Sequence, residues 1–241
     1  TGLTDIVDFS GHDLSRVTNA SSLYNGCTGI TTADMSNLSL ASCTTINSMF
    51  KNCSELTEVH MNSVDLNNCE NAGDTFSGCS KLTLIEMQGI DLRKLTSLSF
   101  ISAPASLERV NLSNAILTGV TSLQDWFKNK TNLKSINMSN VDLSSCKTTT
   151  WMFSGCTGLE NVVMNDFKTS YQSETERISY QGMFNGCTKL TAIDMTGWVT
   201  ANVGYINQMF QGCTGLTGID LTGWDTSNIS NMSSMFQGCT E

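Results

Sequence analysis

The residues best placed to do chemistry form a column at a regular interval: Asp8, Asp34, His60, Glu86, Asn111, Asn137, Val163, Asp194 and Asp220. A second column lies two residues on, reading Ser10, Ser36, Asn62, Gln88, Ser113, Ser139, Asn165, Thr196 and Thr222. Carboxylates, amides and hydroxyls spaced this way can hydrogen-bond a partner along a line. Bond-making chemistry finds no support. The two histidines, His12 and His60, are far apart in register, so no nucleophile, base and orienting group come together. No Gly-rich phosphate loop or metal motif occurs. A Ca²⁺ could bridge Asp8 with Asp34, or Asp194 with Asp220, but the ligands are too few to make a site. No cofactor is implied, and the chain does not read as an enzyme. Another acidic column, Asp13, Asp65, Asp91, Asp142 and Asp225, starts a turn, where Asp caps local N–H groups.

The elements that position these columns repeat along the chain. A large apolar residue recurs at Tyr24, Phe50, Phe76, Ile101, Phe127, Phe153, Phe184, Phe210 and Phe236, in steps of 26, 26, 25, 26, 26, 31, 26 and 26. A period of this size describes a solenoid in which each repeat is one coil stacked on the next. Each coil carries L-x-x-I-x-L or a close variant, as in Leu82/Ile85/Met87 and Leu133/Ile136/Met138. Alternation at period two predicts a short half-buried strand, and one strand per coil stacks into a parallel sheet. The first strand is predicted around Val7–Phe9, in an incomplete first coil. Two residues after the large apolar residue comes Gly or Asn, at Gly26, Asn52, Gly78, Asn129, Gly155, Gly186, Gly212 and Gly238. Both accept a left-handed backbone, which predicts a tight turn there. The exception is Ala103, which Pro104 should push towards extended geometry. The reading is a single solenoid of about nine coils over 1–241, a segment of a longer array without its caps.

Cysteine and methionine follow the repeat. Cys27, Cys53, Cys79, Cys156, Cys187, Cys213 and Cys239 share one position; Cys43, Cys69 and Cys146 share another, where other coils carry Leu95, Val120, Val203 and Ile229. A site that alternates Cys with aliphatic residues is a small buried apolar site, so reduced core thiols are expected. Met49, Met152, Met183, Met209 and Met235 precede the large apolar residue, and Met35, Met61, Met87, Met138, Met164 and Met195 end the strand. Both are core columns. Trp198 and Trp224 align with Val64, Ile90 and Val141, which implies packing at the edge of the core.

The motif carried by 224–238, WDTSNISNMSSMFQG, and its near copy at 198–212 resemble the leucine-rich repeats of BspA-like bacterial surface proteins. The variant is that of mycoplasma-type lipoproteins, W-D-T-S-N-V-x-N-M-x-x-M-F-x-G-C-T-x-L. The resemblance covers essentially the whole chain; the coils over 95–131 depart most, with Ile101 for the aromatic and Lys130 for the Cys. It implies a right-handed leucine-rich-repeat superhelix, with turns or short 3-10 or helical segments opposite the strands. It also implies a cell-surface or secreted protein.

A net charge of −9 argues against nucleic acid and anionic membrane, which need Lys/Arg footprints. No apolar run is long enough to span a bilayer. The expected function is a non-catalytic binding or adhesion scaffold for a protein or glycan. The alternative is a structural spacer or self-assembling fibre subunit. The candidate contact residues are Asp34, His60, Glu86, Asn111, Asn137, Asp194 and Asp220 on the sheet face. Tyr171, Glu174 and Arg177 join them from the insertion at 166–182, which reads either as a contact loop or as a tolerated bulge.

Overall fold

The computed structural model describes residues 2–6, 8, 9, 11–167, 169 and 177–240. The chain forms two compact units, Thr1–Gly119 and Val120–Glu241. Each is a stack of coils joined by parallel backbone pairing. In the first unit β1 (Thr32–Asp34), β2 (Glu58–His60), β3 (Leu84–Glu86) and β4 (Arg109–Asn111) pair in sequence order. In the second, β5 (Ser135–Asn137) pairs with β6 (Asn161–Val163), and β7 (Ile178–Ser179) with β8 (Val203–Tyr205). Two further ladders of single bridges run parallel to these, through Ser39, Asp65, Asp91 and Ile116, and through Asn19, Thr45 and Asn71. Coils are therefore hydrogen-bonded to their neighbours on several sides.

The period-two reading of the strands holds. In β2 and β3 the central Val59 and Ile85 are fully buried while their neighbours face outward. The predicted left-handed turn also holds, with φ of 61° at Asn52, 79° at Gly78 and 73° at Gly155. A Cβ at Gly155 would also lie 2.3 Å from Asn129 Oδ1 on the preceding coil, so that amide would have to move. What the sequence reading missed is that a regular coil carries two more left-handed corners. In one coil they fall at Asn37 and Ser48, with φ of 62° and 58°, and in the next at Ser63 and Asp74, with 54° and 56°.

The core is written in columns. Tyr24, Phe50 and Phe76 stack with centroids 5.4 and 6.0 Å apart; Phe127, Phe153, Phe184, Phe210 and Phe236 do so at 5.4 to 5.7 Å. Such near-parallel faces reflect the coil spacing, which overrides the ring preference for tilted or offset pairs. All ten cysteines are free, and eight are buried. The thiols are more than small apolar fillers. Cys53, Cys79, Cys156 and Cys213 each donate to the carbonyl of Tyr24, Phe50, Phe127 and Phe184, at 2.9 to 3.0 Å. Burial pushes the Cys53 thiol up to about 11 and those of Cys79 and Cys156 to about 12. Both methionine columns are buried, and so is Trp198, whose Nε1 donates to the Met164 carbonyl at 2.8 Å. Trp224 is half-buried and stacks on it at 6.0 Å.

Five local expectations need correction. The large apolar column passes through Phe100, which meets Phe76 at 6.0 Å, and not through Ile101. Both lie in α1 (Ser99–Ser102), the one helix among the described residues, so the side opposite the strands is otherwise built of turns. Ala103 is helical, with φ −61° and ψ −44°, despite preceding Pro104. Burial of Phe100 and Ile101 outweighs the pre-proline preference there. No strand forms at Asp8 and Phe9, and Val7 lies outside the described residues. The motifs at Leu190/Ile193/Met195 and Leu216/Ile219/Leu221 keep most of their burial but not a strand ladder; only an Asp194 bridge to Val163 remains. β7 and β8 form instead on the ladder of Thr148, where Gly204 is an extra residue in a bulge.

Phe153→Ala should cost about 3–5 kcal/mol in a urea melt, as for a fully buried Phe. The raised thiol pKa values predict alkaline sensitivity. Unfolded thiols ionise near their ordinary 9.0 and the buried ones resist to about 12, so the thiol contribution to stability should be level from neutral pH to 9.0 and fall as pH rises towards 12. Denaturant midpoints taken across that range would check this.

Candidate functional site

The register brings four of the seven sheet-face candidates into one row. Asp34 pairs with His60, His60 with Glu86, and Glu86 with Asn111. In the second unit Asn137 pairs with Val163 and Val163 bridges to Asp194. Asp220 is exposed at the corresponding place in the following coil. Val163 interrupts the polar row as an exposed apolar side chain. Beside Asp34, a cleft of about 320 Å³ is lined by Asp8, Phe9, Ser36 and Leu38.

Most of this row has a structural task. Asp34 Oδ1 accepts from the Ser36 N–H at 2.9 Å, Asn111 from Ser113 at 3.1 Å and Asn137 from Ser139 at 3.0 Å. Asp194 and Asp220 cap Thr196 and Thr222 in the same way, at 2.9 and 2.8 Å. Each holds the bend that leads into a left-handed corner at Asn37, Asn114, Asn140, Gly197 or Gly223. The Ser36 backbone N–H, then its hydroxyl, lower the Asp34 pKa against the opposing effect of burial, and His60 adds a little. Asp194 and Asp220 are lowered by the Thr196 and Thr222 hydroxyls and N–H groups. The acidic column at the next turn behaves as the sequence predicts, with Asp13, Asp65, Asp91, Asp142 and Asp225 capping the N–H two residues on at 2.9 to 3.2 Å.

His60 and Glu86 are the exceptions. Neither caps its own turn. The N–H groups they leave open are taken by side chains of the preceding coil: Asn62 donates to Ser36 Oγ at 3.3 Å, and Gln88 to Asn62 Oδ1 at 2.9 Å. The imidazole instead bridges two carboxylates across the sheet face. His60 Nδ1 is 2.8 Å from Glu86 Oε2, and Nε2 is 3.5 Å from Glu58 Oε2. Glu58, which sequence reasoning did not single out, is reached because it shares β2 and its outward face with His60. The three side chains are between a quarter and two-fifths exposed, so they meet solvent while holding one another. Among the described residues no three His, Cys, Asp or Glu side chains converge to hold a metal ion.

The insertion divides. Tyr171 and Glu174 lie outside the described residues. Arg177 is exposed beside β7, on a different ladder from the sheet-face row, with its stem against Gly204. Phe167, Thr169 and Tyr180 are buried, and the Tyr180 hydroxyl meets Thr169 Oγ1 at 2.8 Å.

Stacked coils, one inward column per position and a polar outward row define a leucine-rich-repeat-type parallel β-solenoid. The chain belongs to the family described as Mycoplasma protein of unknown function, DUF285, whose model matches residues 4–114, 96–182 and 121–241. No curated protein sequence matches significantly. Among solved structures, a chain of the Toll–Spatzle complex of Drosophila is similar at TM-score 0.51 and 15% identity, over 87% of this chain and 30% of that one. Internalin C2 of Listeria monocytogenes gives TM-score 0.45 and 16% identity, over 80% of this chain and 81% of its own. A leucine-rich repeat protein of Bacteroides ovatus gives 0.34 and 18%, over 91% and 79%. Identities this low speak to the fold alone. No helix among the described residues is long and apolar enough to cross a membrane.

Asn137→Ala should cost about 1 kcal/mol, as for a lost turn or helix cap, because it strips both the Ser139 N–H and the Ser139 hydroxyl of their acceptor. The lowered carboxylates set an acid limit. Their contribution is present above the ordinary value of 3.8 and is lost as pH falls through the depressed folded values. Melting temperature should therefore hold steady down to about pH 4 and drop below it.

Proposed function

We propose that this chain is the recognition scaffold of a BspA-like cell-surface or secreted protein, binding a protein or glycan through its sheet face. The supporting observation is the Glu58–His60–Glu86 bridge. In a row where Asp and Asn otherwise hold turns, His60 and Glu86 are released from that task, and the preceding coil supplies the missing acceptors. Two carboxylates and an imidazole held by one another present a preorganised polar patch, which lowers the ordering cost of binding. The remaining row candidates, Asp34, Asn111, Asn137, Asp194 and Asp220, hold one oxygen in the turn and turn the rest of the side chain outward. Within the first unit, Asp34 and Asn111 flank the patch as its rim. No covalent chemistry is assigned to this face.

The test is binding of the purified chain to a panel of extracellular-matrix proteins and to a glycan array, for wild type and for the double variant His60→Ala, Glu86→Ala. At least one saturable interaction is expected, and the double variant should weaken it at least about tenfold, as for a loss at a hot spot, with an unchanged melting temperature. Absence of any saturable interaction, together with ordered polymers in electron micrographs, would favour the spacer alternative.

A further inference from the structure

Two residues of the second unit break rules that the other coils keep. Trp151 sits at a left-handed corner with φ 57°. Equivalent corners hold small or flexible polar residues and Gly: Ser48, Asp74, Asp125, Gly182, Gln208 and Ser234. A bulky aromatic there is a strained outlier. Tyr205 occupies the capping position held elsewhere by Asn19, Thr45, Ser122, Thr148 and Asn231, each of which accepts from the N–H two residues on. A phenol on a rigid ring cannot make that short return bond, so the cap is forfeited.

The two departures lie on one ladder. Thr148 pairs with Ser179, and Ser179 with Tyr205. Trp151 follows Thr148 by three residues, and its ring covers Gly182 on the next coil, where a Cβ would come within 2.1 Å of the indole. Tyr205 is 43% exposed and Trp151 half-buried. On a chain of net charge −9, the exposed cations Lys128 and Arg177 lie on this face. Lys128 Nζ is 5.9 Å from the Trp151 ring and pairs with Asp125 at 2.8 Å. Lys147 adjoins Thr148, and the stem of Arg177 crosses Gly204 beside Tyr205.

Strain and a lost cap, spent on one half-buried and one exposed aromatic side chain beside cations, are not what stacking alone requires. We infer that Trp151, Arg177 and Tyr205 form a docking surface for a protein partner whose contacting segment carries carboxylates. Trp, Tyr and Arg are the side chains that carry binding energy at protein interfaces. Ser179 and Gln181 between them supply adaptable hydrogen bonding of the kind found in paratopes. The cations select acidic segments by charge. This inference rests on the scaffold reading above, but it assigns a second face, distinct from Glu58–His60–Glu86.

The experiment selects phage-displayed random peptides on the whole chain, then measures the enriched peptides by calorimetry against Trp151→Ser, Tyr205→Asn, Arg177→Gln and His60→Ala. Enriched sequences should be rich in Asp and Glu. Their affinity should fall about tenfold or more in each of the first three variants, as at a binding hot spot, and stay unchanged in His60→Ala. Melting temperatures of Trp151→Ser and Tyr205→Asn should hold or rise, because each restores the residue type of the repeat. Several results would overturn the inference. These are no acidic enrichment, peptides that bind all variants alike, Trp151-dependent self-association or glycan binding in place of peptide binding, or a lowered melting temperature in both aromatic variants. Loss confined to His60→Ala would also overturn it while leaving the scaffold reading in place.

Discussion

Backbone hydrogen bonds between successive coils hold each unit together. In the first unit Ala20, Ser22, Tyr24 and Gly26 donate in turn to Thr45, Asn47, Met49 and Lys51, at 2.8 to 3.0 Å. The next coil repeats the pattern from Ile46, Ser48, Phe50 and Asn52. Such a ladder fixes the separation of equivalent residues, so each side chain must tolerate its own kind above and below. Phe stacks on Phe and thiol on thiol for that reason. The same constraint explains why Gly155 follows Asn129 on the corner column, since the Asn amide fills the space a Cβ would need.

Closing a coil in about 26 residues demands sharp bends, and the bends set most of the polar sequence. Left-handed corners are cheap for Gly and Asn and costlier for Ser, Asp and Gln. Short side-chain caps help to hold them, with Asp, Asn, Ser or Thr accepting from the N–H two residues on. An acidic residue at such a site therefore needs no ligand to explain it. The net charge of −9 owes part of its size to these caps, including Asp13, Asp34, Asp65, Asp91, Asp142, Asp194, Asp220 and Asp225.

Functional candidates stand out against that background as departures. His60 and Glu86 abandon capping and bridge to each other, and neighbouring coils satisfy the N–H groups they leave. Trp151 and Tyr205 depart from the residue types that the other coils keep at the same positions. In a repeat protein the comparison among coils replaces comparison among homologues, because every coil solves the same stacking problem. A position that differs in chemistry while the backbone stays the same has been released from stacking and is open to another task.

The period, the strand in most coils, the core columns of Phe, Met and Cys, and one of the left-handed corners were all determined by the sequence alone. They are properties of a repeat, and nearest-neighbour stacking makes each column independent of distant parts of the chain. Only the tertiary structure decided that Phe100 and not Ile101 continues the aromatic column, because a helical turn with its own burial overrode the spacing. It also separated capping carboxylates from available ones. Asp34 and Glu86 occupy the same column and look alike in sequence, but one bonds its own turn and the other reaches across to His60. That choice depends on side-chain length and on what the adjacent coil offers, which is geometry between coils and is not written in the spacing along one of them.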